Sequence, residues 1–93
     1  MNANQLYKLN FSLVQRPNSD RVLIFCESRP GSSCHRERVV GSIQRNTEEF
    51  EEFTKLARAY RVSRPYTVVE TARVLGEILA GVREAAAAKE QAQ

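Results

Sequence analysis

Arg21–Ser28 reads RVLIFCES, and the reading of its apolar run Val22–Cys26 decides the fold. Five consecutive apolar residues fit either a strand buried on both faces or a short stretch of core helix, and periodicity alone does not separate the two. The β-branched and aromatic side chains, with turn residues on either side, predict a strand. Upstream, Arg16-Pro17-Asn18-Ser19-Asp20 is a turn by composition, with Pro17 fixing one dihedral and Asn or Asp able to close an Asx-type bond. Before it, Leu6–Gln15 (LYKLNFSLVQ) sets Tyr7, Leu9, Phe11 and Leu13 against Lys8, Asn10 and Ser12, the period of a strand with one buried face. Downstream, Arg29–Ser33 (RPGSS) contains a Pro-Gly reversal. Glu37–Arg45 then alternates Val39, Gly41 and Ile43 with Arg38, Val40, Ser42 and Gln44, a weaker strand with Gly41 at a bulge. Strands at about 6–15, 21–28 and 37–45, joined by short loops, predict a three-stranded antiparallel β-meander. The second strand belongs at its centre, because it alone is apolar on both faces.

At Asn46 the period changes. Asn46 with Glu49 three positions later has the spacing of a capping box. Phe50, Phe53, Leu56, Ala57 and Tyr60 share one helical face, opposite Glu48, Glu52, Lys55 and Arg58. Acids crowd the first turns and bases the last, as the helix dipole favours. This predicts a helix over about 47–60, with Phe50 and Phe53 packed on Leu9, Phe11 and Ile24. Pro65 interrupts it, and a second helix is expected over about 66–89, leaving 90–93 as a frayed tail. Val68, Ala72, Leu75, Leu79, Val82 and Ala86 form a heptad-like seam along it. Gly76 and Gly81 each cost about 1 kcal/mol in a helix, which another backbone close by would explain. The expected fold class is α+β, β-β-β-α-α, with both helices on one face of the sheet.

The chain has 93 residues, 42% hydrophobic and 27% charged, with a formal net charge of +3. That length fits a single small domain spanning 1–93 and leaves no room for a second packed core. No apolar run approaches the ~18 residues of a spanning helix, and residues 1–15 lack a signal-like basic-then-apolar segment, so a cytoplasmic protein is expected. Cys26 and Cys34 are then reduced thiols rather than a disulfide framework.

Catalytic motifs are missing. Cys34 and His35 are adjacent, but neighbours in a strand point to opposite sides, and neighbours in a loop rarely meet with the geometry a base needs. Cys26, Cys34 and His35 lack the short CxxC spacing of structural zinc sites, and Cys26 reads as a small core hydrophobe. The carboxylates of 48–52 read as a solvated helix face, and Gly31 stands alone, without a phosphate loop. The expectation is a non-enzymatic binding protein with no cofactor and no metal.

Basic residues point to a partner. Residues 1–46 carry Lys8 and six of the eleven Arg against three acids, a local balance of +4. Lys8, Asn10, Arg29, Arg36, Arg38, Arg45, Arg61 and Arg64 are therefore the candidate contacts to nucleic acid or to an acidic protein surface. Nucleic acid leads by this reckoning, with Lys8, Asn10, Ser12, Arg36 and Arg38 reading a duplex from the sheet face opposite the helices. The alternative is an inhibitor or adaptor docking on protein through an apolar, Arg-rimmed patch of Val14, Val40 and whichever of Leu23 or Phe25 faces away from the helices. A homodimer through the seam of Val68, Leu75, Leu79 and Val82 is also expected.

Three resemblances accompany these readings. Within Leu56–Leu75, residues Ala57, Val62, Ser63, Arg64, Thr67 and Val68 resemble the helix-turn-helix of GntR-type bacterial repressors. This implies that Ser63, Arg64, Tyr66 and Thr67 face a DNA groove. It departs from the pattern at Arg61, where a glycine is usual, and at Pro65-Tyr66, one residue longer; a plain break between two helices explains the same residues. In topology, the sheet backed by a helix resembles the arm-binding domains of phage integrases. In outline, the chain is similar to phage-encoded inhibitors such as anti-CRISPR proteins.

Overall fold

A computed structural model of the chain describes residues 5–26 and 38–91. The elements run β1 (Tyr7–Lys8), β2 (Phe11–Gln15), β3 (Arg21–Cys26), β4 (Arg38–Gln44), α1 (Glu48–Ala59), β5 (Arg61–Val62) and α2 (Val68–Gln91). β2, β3 and β4 form an antiparallel sheet in that order, with β3 central. The both-face apolar run thus occupies the middle of an α+β fold.

The first strand is broken in two. Tyr7–Lys8 leaves the main sheet and pairs antiparallel with Arg61–Val62, while Phe11–Gln15 pairs with β3. Alternation survives the break: Leu9 is buried, while Lys8 and Asn10 are exposed. The reason is that a period of two specifies which side each residue faces, not which strand its backbone bonds.

The β2–β3 hairpin closes through Arg16 N–H donating to the Arg21 carbonyl at 3.4 Å, with Asn18 in the left-handed region at φ 60°. Ser19, rather than an Asx side chain, accepts from the Arg21 amide at 3.1 Å. Between β3 and β4 the register slips: Ile24 opposes Gly41 but Phe25 opposes Val39, leaving Val40 as the extra residue of a bulge. The irregularity expected at Gly41 falls one residue earlier. Gly41 has a different role, since a Cβ there would lie 3.0 Å from Leu79 Cδ2. Its bare backbone lets α2 approach β4 closely.

Helix α1 is capped by Thr47, not Asn46. Thr47 Oγ1 accepts from the Phe50 amide at 3.2 Å and donates to the Gln44 carbonyl at 2.7 Å. Asn46 takes the left-handed turn position just before it, φ 64°, a conformation Asn tolerates better than most residues. Phe53 is fully buried and meets the Phe11 ring edge-on, centroids 6.4 Å apart and planes at 76°. Ala57 is buried beside it, whereas Leu56 and Tyr60, expected on the same face, lie exposed at its margin.

Tyr60–Thr67 is not the turn of a helix-turn-helix. It contains β5, which buries Val62 and bonds Lys8's strand, and separates the helices by eight residues. No left-handed residue stands at Arg61. The heptad-like seam of α2 is spent on the protein's own core: Leu75, Leu79 and Val82 are buried against Val22, Ile24, Cys26, Ile43 and Phe53. Val68 packs partly buried against the same cluster. Leu75, Leu79 and Val82 are therefore not available as a dimer surface. Among the described residues, no atom beyond the neighbouring turns of α2 lies within 4 Å of a Cβ added at Gly76 or Gly81, so no other described backbone approaches there. Beyond Val82, α2 runs out from the core, with only Ala86 half-buried through Glu90. Among the described residues no helix is long and apolar enough to cross a membrane.

Candidate functional site

Helices α1 and α2 cover only one side of the main sheet, the side onto which Phe11, Leu13, Val22, Ile24, Cys26 and Ile43 turn. Alternation then sends the intervening residues to the other side. The registers assemble them into two rows across the strands, Val14–Leu23–Ser42 and Ser12–Phe25–Val39. This block holds four apolar side chains, two hydroxyls and no charge. Val14 is 46% and Val39 53% exposed, and Leu23 and Phe25 between them are half-buried. Arg21 closes the block at the hairpin end, its Nη1 donating to Ser42 Oγ at 3.2 Å.

Among the described residues, Lys8, Asn10, Arg45, Arg61 and Arg64 do not converge on this face. Lys8 is exposed in β1, opposite Arg61 of β5 and outside the main sheet. Asn10 lies exposed at the break between β1 and β2. Arg45 sits in the turn before α1, its guanidinium donating to Gln15 Oε1 and its amide to the Asp20 carbonyl at 2.7 Å. The ladder sets Arg38 opposite Cys26, in the row that also contains Phe11, rather than in either row of the open face. Arg29 and Arg36, like Cys34 and His35, lie outside the described residues.

Arg61 and Arg64 have local structural roles. Arg61 Nη1 donates to the carbonyls of Arg58 (2.6 Å) and Tyr60 (2.9 Å), satisfying acceptors left over where α1 ends. Arg64 forks onto Glu70, Nη1 reaching Oε1 at 3.1 Å and Nη2 reaching Oε2, while its guanidinium lies 5.1 Å from the Tyr66 ring centroid. Glu70 also accepts from the Thr67 amide at 3.2 Å, and Thr67 Oγ1 accepts from the Glu70 amide at 3.1 Å. This reciprocal pair is a capping box that starts α2. The Arg64 hydrogen bonds, then those from Thr67, hold the Glu70 carboxyl well below the usual range, at about 2. The same contacts raise Arg64.

Two grooves flank α2. One of about 480 Å³ lies between the helices, walled by Glu48, Glu49, Glu51 and Glu52 over Val82, Ala85 and Ala86, with Lys89 at its end bonded to Glu48 at 3.5 Å. The other, about 320 Å³, runs beside β4 and is lined by Val39, Val40, Val69, Ala72, Arg73 and Gly76. Among the described residues no three His, Cys, Asp or Glu side chains are grouped to hold a metal ion.

Val14, Leu23 and Phe25 were legible as an apolar patch. Val39 was not, because the bulge reverses the alternation at Val39–Val40 and puts Val39 where a regular strand would put Val40. Thr67-x-x-Glu70 has capping-box spacing, a signal present in the sequence that the expectations above did not use. No protein family matches the chain, and neither a curated protein nor a solved structure is found similar to it.

Proposed function

We propose that the protein is a non-enzymatic binding module that docks a partner protein through the open face of its sheet. The observation that carries this reading is the uncharged block of Val14, Leu23, Phe25 and Val39 with Ser12 and Ser42, on the side opposite both helices. Contiguous exposed apolar surface on a small protein marks an interaction site, and interface centres are depleted in charge. Six residues on three strands offer a few hundred Å², whereas a stable complex takes about 800 Å² from each partner. The partner therefore extends past the block onto its rim. At the hairpin end that rim carries Arg16, Arg21 and Arg45, which favours acidic residues around an apolar centre on the other side.

Nucleic acid fits the same surface less well. Phosphate binding draws on several cations, while Arg61 and Arg64 lie outside the main sheet and already donate to groups of this chain. Affinity capture from the producing cell, with and without nuclease, compares the wild type with the Val14→Asp/Val39→Asp double variant. The expected result is a protein partner that survives nuclease, is retained between 50 and 200 mM salt (roughly the range over which phosphate contacts weaken steeply), and is lost in the variant. Capture of nucleic acid, or a partner held equally by the variant, would overturn the reading.

A further inference from the structure

We infer that the free edge of β4, together with the groove beside it, accepts an extended segment of a partner as a fourth strand, with apolar residues alternating and a carboxylate placed to meet Arg73. This rests on the open sheet face being a docking surface and names how the partner continues from it: Val39 belongs both to that face and to the groove wall.

Three observations combine. First, β4 is an outer strand, so its backbone opposite β3 has no ladder partner among the described strands, and such an edge is a template for strand addition. Arg45 N–H bonds Asp20 across the hairpin end, so the next hydrogen-bonded pair is Ile43–Val22 two residues earlier, and Ser42, one residue further along, turns its carbonyl outward. That carbonyl is taken by Arg83 Nη2 at 2.7 Å. The α2 guanidinium thereby blocks one half of the edge, and among the described residues none bonds the Val39–Val40 half.

Second, the accessible half is the one with a groove beside it. Val39, Val40 and Ala72 line it, Val69 is 64% exposed on its helical wall, and Gly76 leaves open space where any side chain would intrude. Alternate residues of an added strand drop into this groove, and the ones between fall beside Val39 on the open face.

Third, Arg73 lines the groove and makes no ion pair among the described residues, whose two pairs are Arg64–Glu70 and Lys89–Glu48. A carboxylate on the incoming strand complements it. A second copy is the poorer occupant: paired edge-to-edge about Val39–Val40, it would bring Arg73 towards its own counterpart, a like-charge contact that opposes association.

The test selects phage-displayed random 12-residue peptides against the intact protein. Selected peptides are then titrated against the wild type, Arg73→Glu, Val69→Asp and Val14→Asp while the amide resonances of Val39, Val40 and Gly76 are followed. Arg73, Val69 and Val14 are exposed, so each variant is expected to fold. The expected result is enrichment of alternating apolar and Asp/Glu sequences that shift those three amides. Arg73→Glu and Val69→Asp should each weaken binding at least tenfold, with Val14→Asp neutral. No enrichment, peptides indifferent to Arg73→Glu, or shifts confined elsewhere would overturn the strand-addition inference. Failure of the parent reading shows differently: the captured partner is then indifferent to Val14→Asp/Val39→Asp, whatever the peptides do.

Discussion

The two sides of β3 carry equally apolar side chains and have different fates. Val22, Ile24 and Cys26 are shut in under α1 and α2, with Ile24 and Cys26 wholly inaccessible. Leu23 and Phe25, one residue out of phase, stand on a face that no described helix covers. Hydrophobicity therefore marks β3 as central, but the amphipathic faces of the helices decide which side becomes core. The uncovered side keeps its apolar character, and that retention supports a docking role.

Replacing residues on each side gives the most direct way to break this contrast. Phe53→Ala, which removes the ring seated on Phe11, is expected to cost about 3–5 kcal/mol in denaturant unfolding; a near-neutral value would mean α1 does not cover the sheet. Gly76→Ala, facing open space in mid-helix, should stabilise by about 1 kcal/mol. Loss of stability there would reveal a backbone neighbour that the open space excludes. On the uncovered face, Val14→Asp and Val39→Asp should each cost no more than about 1 kcal/mol, the loss of strand propensity alone, and a loss of the size expected for Phe53→Ala would show that the face is core after all.

The smallest effect is local to the start of α2. The Glu70 carboxyl, held at about 2 against an ordinary 4.5, is favoured as the anion in the folded state. Its contribution is present above pH 4.5 and lost as pH falls from there through about 2. The Thr67 amide resonance of the folded protein should titrate with its midpoint near 2, and Glu70→Gln should abolish the titration without touching the sheet. A Thr67 amide that titrates near 4.5 instead would mean that Arg64 does not hold the carboxylate.

Much of the scaffold could be read locally. Tyr7 through Leu13 showed its buried face by alternation, and Phe53 and Ala57 by helical spacing. Pro65 marked the break between helices. Errors arose where a local signal had two solutions. Asn46 and Thr47 are both capping residues, and only the path of the chain out of β4 made one the left-handed turn and the other the cap. The stripe of Phe50 to Tyr60 was wider than the surface available to it, so Leu56 and Tyr60 were left at the margin. The arginines were the least legible. Their number signalled a cationic surface, yet Arg61 and Arg64 complete the end of one helix and the start of the next.

Side-chain order along the chain determined the number of main strands and helices, the central place of β3 and the side each residue faces, because alternation and helical spacing act over a few residues. Only the folded arrangement decided that Tyr7–Lys8 would bond Arg61–Val62, that Leu75, Leu79 and Val82 would be used up inside, and that Val39 would emerge beside an open edge. Those outcomes depend on contacts between residues far apart in the chain, where backbone hydrogen bonds carry no imprint of side-chain identity and the space available sets the result.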